Sequence, residues 1–208
     1  MTSTREEFGG LFSLYTWVLV AAGVVVVLAI LFALVRYRRG RGHEPSRRAE
    51  AKAVEIAYAA LLAAVVGALV WKTFGTEDKV DALAARHCEE VHVTAFQWGW
   101  RFTYPREHVS VVGNQDAPPT AAVPLDTPLC FSVFSEDVIH SFWVPDLRFK
   151  KDAFPKFTNR FDLVVDRPGA YVGRCAEFCG LEHAGMTFQL LAMSDSEFRA
   201  WLAARGGA

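Results

Sequence analysis

The chain has 208 residues, a length that fits one domain of ordinary size and an additional segment. Hydrophobic residues make up 52%, and the net charge of −1 combines +4 over residues 1–75 with −5 over residues 76–208. The acidic second half argues against a nucleic-acid partner and is compatible with a basic protein partner.

The first apolar segment, residues 11–35, has 25 residues without a charged side chain. This exceeds the roughly 20 residues that a helix needs to cross a bilayer. A cleaved signal peptide has a shorter apolar region that ends in a small-residue cleavage site. We therefore predict a retained transmembrane helix over about residues 11–35.

A second apolar segment follows a basic loop and predicts a transmembrane hairpin over residues 1–75. The loop, residues 36–53, is rich in arginine and is placed in the cytoplasm by the positive-inside rule. The second segment predicts a helix over about residues 54–74. The N-terminus and everything after about residue 76 then lie on the extracytoplasmic side of the plasma membrane.

The rest of the chain predicts a β-domain. Residues 76–90 look like a solvated linker, and residues 91–193 contain short stretches that alternate with period two. The alternation changes phase near Phe96, which suggests a bulge or bend there. This pattern predicts a β-sandwich or barrel. Residues 194–208 form a C-terminal helix and tail, because Ser194 and Glu197 match a capping box.

Soft metal ligands are concentrated between residues 175 and 186. Cys175, Cys179, His183 and Met186 provide two thiols, an imidazole and a thioether. Such ligands suit copper, zinc or iron–sulfur clusters, and two thiolates can bridge two copper ions. A two-copper site needs a second imidazole, which His140 can supply. In an oxidising compartment, a disulfide between any two of the four cysteines, including Cys175 with Cys179, is the alternative.

Three motifs in this order resemble subunit II of bacterial cytochrome c oxidase: Gln97-Trp98-x-Trp100, Asp137-Val-Ile-His140-Ser-Phe-Trp-Val-Pro145, and Cys175-x-Glu177-x-Cys179-x-x-x-His183-x-x-Met186. The resemblance implies a cupredoxin-like sandwich with a binuclear copper centre, CuA. Cys175 and Cys179 would bridge the two coppers. His140 and Met186 would complete one copper, and His183 with the backbone carbonyl of Glu177 would complete the other.

The resemblance also implies a function and partners. The domain would accept electrons from reduced cytochrome c and pass them to the haem of subunit I. Oxygen reduction coupled to proton pumping would take place on that other chain. Trp98 would be the residue through which electrons enter, and the Glu177 carboxylate would bind a magnesium ion shared with subunit I. Glu55 would lie at the mouth of a proton path. Other oxidase subunits and the lipid bilayer are further expected partners.

Four other residues receive weaker interpretations. Glu136 and Asp137 are either part of an acidic docking patch or a solvated loop. Cys88 and Cys130 match no ligand position and are interpreted as buried thiols or as incidental.

Three functions other than an oxidase subunit remain as alternatives. The copper subunit of a nitric-oxide reductase has the same layout, whereas nitrous-oxide reductases carry a large additional domain. A membrane-anchored copper carrier would place its histidine far downstream of the cysteine pair, and here His140 lies upstream. A purely structural membrane anchor would need no ligand set.

Overall fold

The structure is a computed structural model that describes residues 4–38, 51–81 and 88–206. The chain divides into two compact units, Gly9–Glu77 and Asp78–Ala208 with the first eight residues. Each unit is described by itself. Most of the basic loop predicted over residues 36–53 lies outside the described residues, so the orientation inferred from it stays a prediction.

The helical unit consists of two long apolar helices, α1 (Thr4–Arg36) and α2 (Lys52–Asp81). Both are long and apolar enough to cross a membrane, and almost all of their side chains are exposed within the chain. Exposed apolar faces of this length require lipid or another protein around them. Helix α2 continues through residues 76–81, which were predicted as linker, because Glu77, Asp78 and Lys79 do not break a helix.

The two helices form an antiparallel hairpin. The hydroxyl groups of Tyr15, near the start of α1, and Thr73, near the end of α2, are 2.6 Å apart. Thr73 also donates a hydrogen bond to the carbonyl of Leu69, one turn earlier in its own helix. This pairing satisfies both hydroxyl groups in a region where few other polar partners exist.

The second unit is a sandwich of two five-stranded sheets, followed by a short helix. The first sheet has the order β3-β2-β1-β5-β8, and the second sheet has the order β4-β10-β9-β6-β7. This architecture confirms the predicted fold class. The strands are β1 (Glu89–Phe96), β2 (Gly99–Tyr104), β3 (Val109–Asn114), β4 (Thr120–Pro124), β5 (Leu129–Ser135), β6 (His140–Val144), β7 (Phe149–Ala153), β8 (Asn159–Leu163), β9 (Gly169–Cys175) and β10 (Thr187–Met193).

The predicted bulge near Phe96 is wrong, because the chain reverses there. β1 ends at Phe96 and β2 begins at Gly99, and these two residues are paired in an antiparallel register. Residues 97 and 98 form the turn. Crossing this turn shifts the inward-facing positions from odd to even residue numbers, which produces the change of phase. The buried side chains are Val91, Val93 and Ala95 on β1, and Trp100, Phe102 and Tyr104 on β2.

Aromatic side chains fill the space between the sheets. Phe142 is stacked on Phe188 with ring centroids 4.8 Å apart and is 6.2 Å from Trp100 in an edge-on arrangement. Trp100 is fully buried and belongs to the core. Such ring pairs add packing energy beyond their buried area, so the core gives the loops a rigid base.

Parallel pairing of β1 with β5 places two loops at the same end of the sandwich. Ala95 is in register with Ser135, so the turn after β1 and the loop of residues 136–139 emerge together. In the second sheet, Phe142 is in register with Cys175, which brings the start of β6 beside the end of β9. We call this the ligand end.

A disulfide joins Cys88 to Cys130, with Cα atoms 5.5 Å apart. The interpretation of these cysteines as buried thiols or as incidental is therefore wrong. Cys88 directly precedes β1, and Cys130 is the second residue of the adjacent β5. Their closeness follows from the parallel pairing of Glu89 with Leu129.

The C-terminal helix α3 (Asp195–Ala203) begins with the predicted capping box. The Ser194 side chain accepts from the Glu197 amide, and the Glu197 carboxylate accepts from the Ser194 amide. Phe198 and Leu202 are buried, and the ring of Trp201 lies 5.5 Å from that of Tyr104. The helix thus packs on the sandwich, as its apolar stripe predicts.

Candidate metal centre

The ends of strands in the second sheet supply the candidate ligands. His140 is the first residue of β6, Cys175 is the last residue of β9, and Met186 directly precedes β10. The amide of Cys175 donates to the carbonyl of Met186 at 2.9 Å, which closes the base of the loop between them. Cys179 and His183 lie within this loop.

The predicted ligand atoms converge on one another. Sγ of Cys175 is 3.8 Å from Sγ of Cys179 and 3.8 Å from Nδ1 of His140. Sγ of Cys179 is 3.5 Å from Nδ1 of His183 and 3.7 Å from Sδ of Met186. The backbone carbonyl of Glu177 is 3.2 Å from Sγ of Cys175. The other four predicted donors therefore surround these two sulfur atoms.

The site is almost dry. His140 and Met186 are fully buried, and Cys175 and Cys179 are 6% and 3% exposed. Both cysteines are free thiols, so the alternative of a disulfide between them is absent from the structure. A dry, packed surround restricts the movement of ligand side chains.

The two thiols differ in their affinity for protons. Burial raises the pKa of Cys175, but hydrogen bonds from His140 and from the backbone of Glu177 outweigh this effect and lower it to about 7. Burial raises the pKa of Cys179 to about 12, and the negative charge of a Cys175 thiolate adds to the rise. The first thiolate therefore forms on Cys175, and a cation in the site would favour the second.

Asp137 orients His140. Its Oδ1 atom is 2.8 Å from Nε2 of His140. Partial burial raises the pKa of Asp137, but hydrogen bonds from His140, Val138 and Gln97 hold it below its usual range. Burial lowers the pKa of His140, whereas Cys175 and Asp137 raise it, and the net effect is a rise. An ionised Asp137 accepts a hydrogen bond from the Nε2–H group of His140, which leaves the unprotonated Nδ1 facing the Cys175 sulfur.

This orienting role of Asp137 was not predicted from the sequence. The expectation that Asp137 belongs to an acidic docking patch or to a solvated loop stays a prediction. Glu136 is likewise engaged, since its Oε1 atom lies 2.6 Å from Arg101. The sequence signal for the orienting role was an acidic residue three positions before a candidate histidine ligand.

The donor set fits copper. Two thiolates, two imidazoles and a thioether are soft or intermediate donors, and their crowding around two sulfur atoms suits two ions that share those sulfurs. The fit for magnesium is less complete. Magnesium prefers oxygen ligands, and the exposed Glu177 offers one carboxylate. Among the described residues, the only cluster of three metal-binding groups is His140, Cys175 and Cys179.

The predicted Trp98 lies against the ligand loop. Its indole is partly buried, and Nε1 donates to the carbonyl of Cys179 at 3.0 Å. Gly180 lies directly beneath it, because a Cβ atom there would be 3.0 Å from the indole ring. The side chain of the neighbouring Gln97 also donates to the carbonyl of Cys179. Gln97 is part of the sequence motif, but the motif did not predict this contact.

Glu55 is not part of this cluster. It lies in the first turn of α2, in the helical unit, and its side chain is exposed. Its Oε1 atom accepts a hydrogen bond from the amide of Ala51 at 3.2 Å. A carboxylate in this position stabilises the start of a helix.

The chain is similar to proteins of a known family. Residues 115–193 match the family model described as cytochrome c oxidase subunit II, periplasmic domain. Cytochrome c oxidase subunit 2 of Alkalihalophilus pseudofirmus is 35% identical, covering 86% of this chain and 53% of that protein. The Corynebacterium glutamicum protein of the same name is 28% identical, covering 92% of this chain and 71% of that protein. The chain thus spans about half the length of the first relative.

A solved structure shares the sandwich. The crystal structure of the periplasmic domain of subunit II of cytochrome oxidase from Bradyrhizobium japonicum superimposes with a TM-score of 0.52 at 28% identity. The match covers 56% of this chain and 91% of that domain. The family match includes all of the candidate ligands but begins after Gln97 and Trp98.

Proposed function

Because this chain belongs to the cytochrome c oxidase subunit II family, we propose that it is the copper-bearing, electron-accepting subunit of a membrane-bound haem–copper oxidase. The observation that carries this proposal is the convergence of two imidazoles, a thioether and a backbone carbonyl on the sulfur atoms of Cys175 and Cys179 in a nearly dry pocket. A membrane anchor without redox chemistry has no need for such a pocket.

Six groups would hold the two copper ions. Cys175 and Cys179 would be shared by both ions, His140 and Met186 would complete one, and His183 with the carbonyl of Glu177 would complete the other. When bound, such a centre accepts and releases one electron that both copper ions share. The protein holds its ligands in place through the closed loop base and through the Asp137–His140 hydrogen bond. Small ligand movements lower the energy needed to rearrange the site during electron transfer.

Trp98 receives the electron from reduced cytochrome c. It is partly exposed, and its N–H group contacts the backbone of a bridging cysteine. This hydrogen bond connects the partly exposed Trp98 directly with a residue that supplies one of the two sulfurs. The electron then passes to the haem of subunit I, where oxygen is reduced to water with proton pumping.

The ligand end also carries a surface for other subunits. Phe178 and Leu181 are 78% and 90% exposed on the ligand loop, and Phe157 is 60% exposed on a neighbouring loop. Large exposed apolar side chains at one end of a domain are typical of protein interfaces. Glu177 adjoins Phe178, so its carboxylate is available to a magnesium ion that subunit I would share.

The disulfide supports the proposed location. Disulfides persist in oxidising compartments and are rare in the cytoplasm. The bond between Cys88 and Cys130 therefore favours an extracytoplasmic sandwich, anchored to the plasma membrane by α1 and α2 with the N-terminus on the same side.

We assign Glu55 to the mouth of a proton path in subunit I. In this role Glu55→Ala slows proton uptake during turnover, while the copper spectrum is unchanged. Glu55→Gln tests the alternative of a helix cap, because glutamine keeps the acceptor oxygen for the Ala51 amide but cannot ionise. Normal proton uptake in Glu55→Gln would contradict the assignment.

The decisive test is spectroscopy of the full-length protein loaded with copper in detergent. We expect an electron paramagnetic resonance signal from one unpaired electron shared equally by two copper nuclei. Cys175→Ser and Cys179→Ser should abolish this signal, whereas Cys88→Ser with Cys130→Ser should retain it. A single tightly bound copper, or binding of zinc alone, would contradict the proposal. Turnover of the purified complex under oxygen or nitric oxide identifies the terminal acceptor.

A further inference from the structure

The turn between the first two strands touches the ligand loop through two adjacent side chains. Nε2 of Gln97 donates to the carbonyl of Cys179 at 2.8 Å, and Nε1 of Trp98 donates to the same oxygen at 3.0 Å. This carbonyl therefore accepts two side-chain hydrogen bonds.

Cys179 holds one of the two sulfur atoms of the candidate site. Its sulfur lies within 3.8 Å of three other candidate ligand atoms, on Cys175, His183 and Met186. Two donors on its carbonyl fix the plane of the following peptide. They thereby restrict the direction in which the side chain of Cys179 leaves the backbone.

Gln97 also contacts the His140 side of the site. Its backbone amide donates to Oδ2 of Asp137 at 2.7 Å, while Oδ1 of Asp137 faces Nε2 of His140 at 2.8 Å. A single residue of the first sheet thus connects with a histidine ligand through its amide and with a bridging cysteine through its side chain.

We propose that Gln97 is a positioning residue of the copper site, which joins the His140 and Cys179 sides from outside the ligand set. The inference rests on the proposed function, because it concerns the geometry of the same copper ligands. Gln97 itself contacts no ligand atom. It acts through the carbonyl of Cys179 and through Asp137.

Two substitutions separate the side chain from the backbone contact. Gln97→Glu keeps the shape of the side chain but, when ionised, donates no hydrogen bond to the Cys179 carbonyl. Gln97→Ala removes the side chain altogether. Both retain the backbone amide that donates to Asp137. Gln189→Ala is the matched control, because Gln189 is exposed on β10 and its side chain contacts Thr120 instead of the ligand loop.

The hydrogen bond itself is read out in the metal-free, full-length protein. With carbon-13 at the cysteine carbonyls, infrared spectra should show one amide band at higher frequency in Gln97→Glu and Gln97→Ala, because the carbonyl loses one donor. Gln189→Ala should leave the band unchanged. Unchanged cysteine carbonyl bands in both Gln97 variants would overturn the proposal.

The consequence for the site is measured after copper loading. Loss of a contact that orients a metal ligand commonly weakens metal binding about 10-fold to 100-fold. We expect about a tenfold loss of copper affinity in both Gln97 variants, together with altered copper hyperfine splitting. Wild-type affinity and splitting in both variants would overturn the proposal. Absence of a two-copper signal in the wild-type protein would contradict the proposed function. A wild-type signal that both Gln97 variants leave unchanged would contradict only the positioning role of Gln97, so the two failures are distinguishable.

Discussion

Nε2 of His140 faces Oδ1 of Asp137 at 2.8 Å, and the Nδ1 atom of the same ring faces the sulfur of Cys175 at 3.8 Å. The imidazole is therefore held between a carboxylate and a thiol. The carboxylate fixes both the tautomer and the ring orientation, so that the nitrogen available to a metal is Nδ1. Asp137 is thus part of the proposed copper site although it would not touch the metal.

Replacement of Asp137 should weaken copper binding. Asp137→Asn leaves an amide that can present either an acceptor or a donor to His140, so the tautomer is no longer fixed. We expect about a 10-fold to 100-fold loss of copper affinity, measured by competition with a chelator of known affinity. Glu136→Gln is the control, since Glu136 pairs with Arg101 instead of a ligand. Equal losses in the two variants would argue against an orienting role.

Trp98→Phe should slow electron uptake more than it perturbs the copper site. Phenylalanine retains the aromatic contact with Gly180 but cannot donate to the Cys179 carbonyl. Stopped-flow mixing with reduced cytochrome c should show a severalfold slower reduction of copper, with a two-copper signal still present. Trp201→Phe, a change on α3 away from the ligand end, should leave the rate unchanged. A wild-type rate in Trp98→Phe would show that electrons enter elsewhere.

Removal of the Cys88–Cys130 disulfide should destabilise the sandwich without altering the copper signal. The bond closes a loop with a sequence separation of 42 residues. Loss of this constraint on the unfolded chain costs about 4 kcal/mol by the loop-entropy relation. Urea unfolding of the double variant Cys88→Ser with Cys130→Ser, followed by near-ultraviolet circular dichroism, measures the loss. An unchanged free energy of unfolding would contradict the prediction.

Glu89 should make the stability of the sandwich depend on pH. Burial and the nearby Glu107 raise the pKa of Glu89 above its ordinary value of 4.5, although Arg106 and Arg199 oppose the rise. A raised pKa in the folded state means that the stabilising form is the protonated one. Its contribution is complete below pH 4.5 and is lost as the pH rises through the folded-state pKa.

Glu89→Gln should therefore have a higher melting temperature than the wild-type protein at pH 7. The difference should shrink as the pH falls towards the acid range, where the wild-type carboxyl is protonated. Glu90→Gln provides the control, because Glu90 is the exposed neighbour of Glu89 on the same strand. A difference in melting temperature that is independent of pH would rule out an electrostatic cause.

Local patterns predicted the elements but not how they pair. The odd-numbered apolar residues before Phe96 and the even-numbered ones after it indicated two inward-facing stretches. They did not show that a turn separates two strands of one hairpin. The disulfide was hidden for a similar reason, because Cys88 and Cys130 are close only through the parallel pairing of β1 with β5.

The ligand set was visible in the sequence because its spacing is compact between Cys175 and Met186. The contacts that support it were not, since they join residues up to 82 positions apart, as in the hydrogen bond from Gln97 to Cys179. The orienting contact of Asp137 was not predicted because an acidic residue in a loop has the same sequence appearance whether it faces solvent or a buried imidazole. Only the fold distinguishes the two cases.

The candidate ligands and the residues that contact them from outside belong to different sheets, which has a consequence for how such proteins diverge. His140, Cys175 and Met186 belong to strand ends of the second sheet, whereas Gln97 and Trp98 belong to a turn of the first sheet. A lineage could therefore change its redox partner by substitutions in one sheet while inheriting the metal chemistry of the other unchanged. Substitutions in the first sheet would disturb the metal ligands only when they remove the hydrogen bonds from Gln97 and Trp98 to the Cys179 carbonyl.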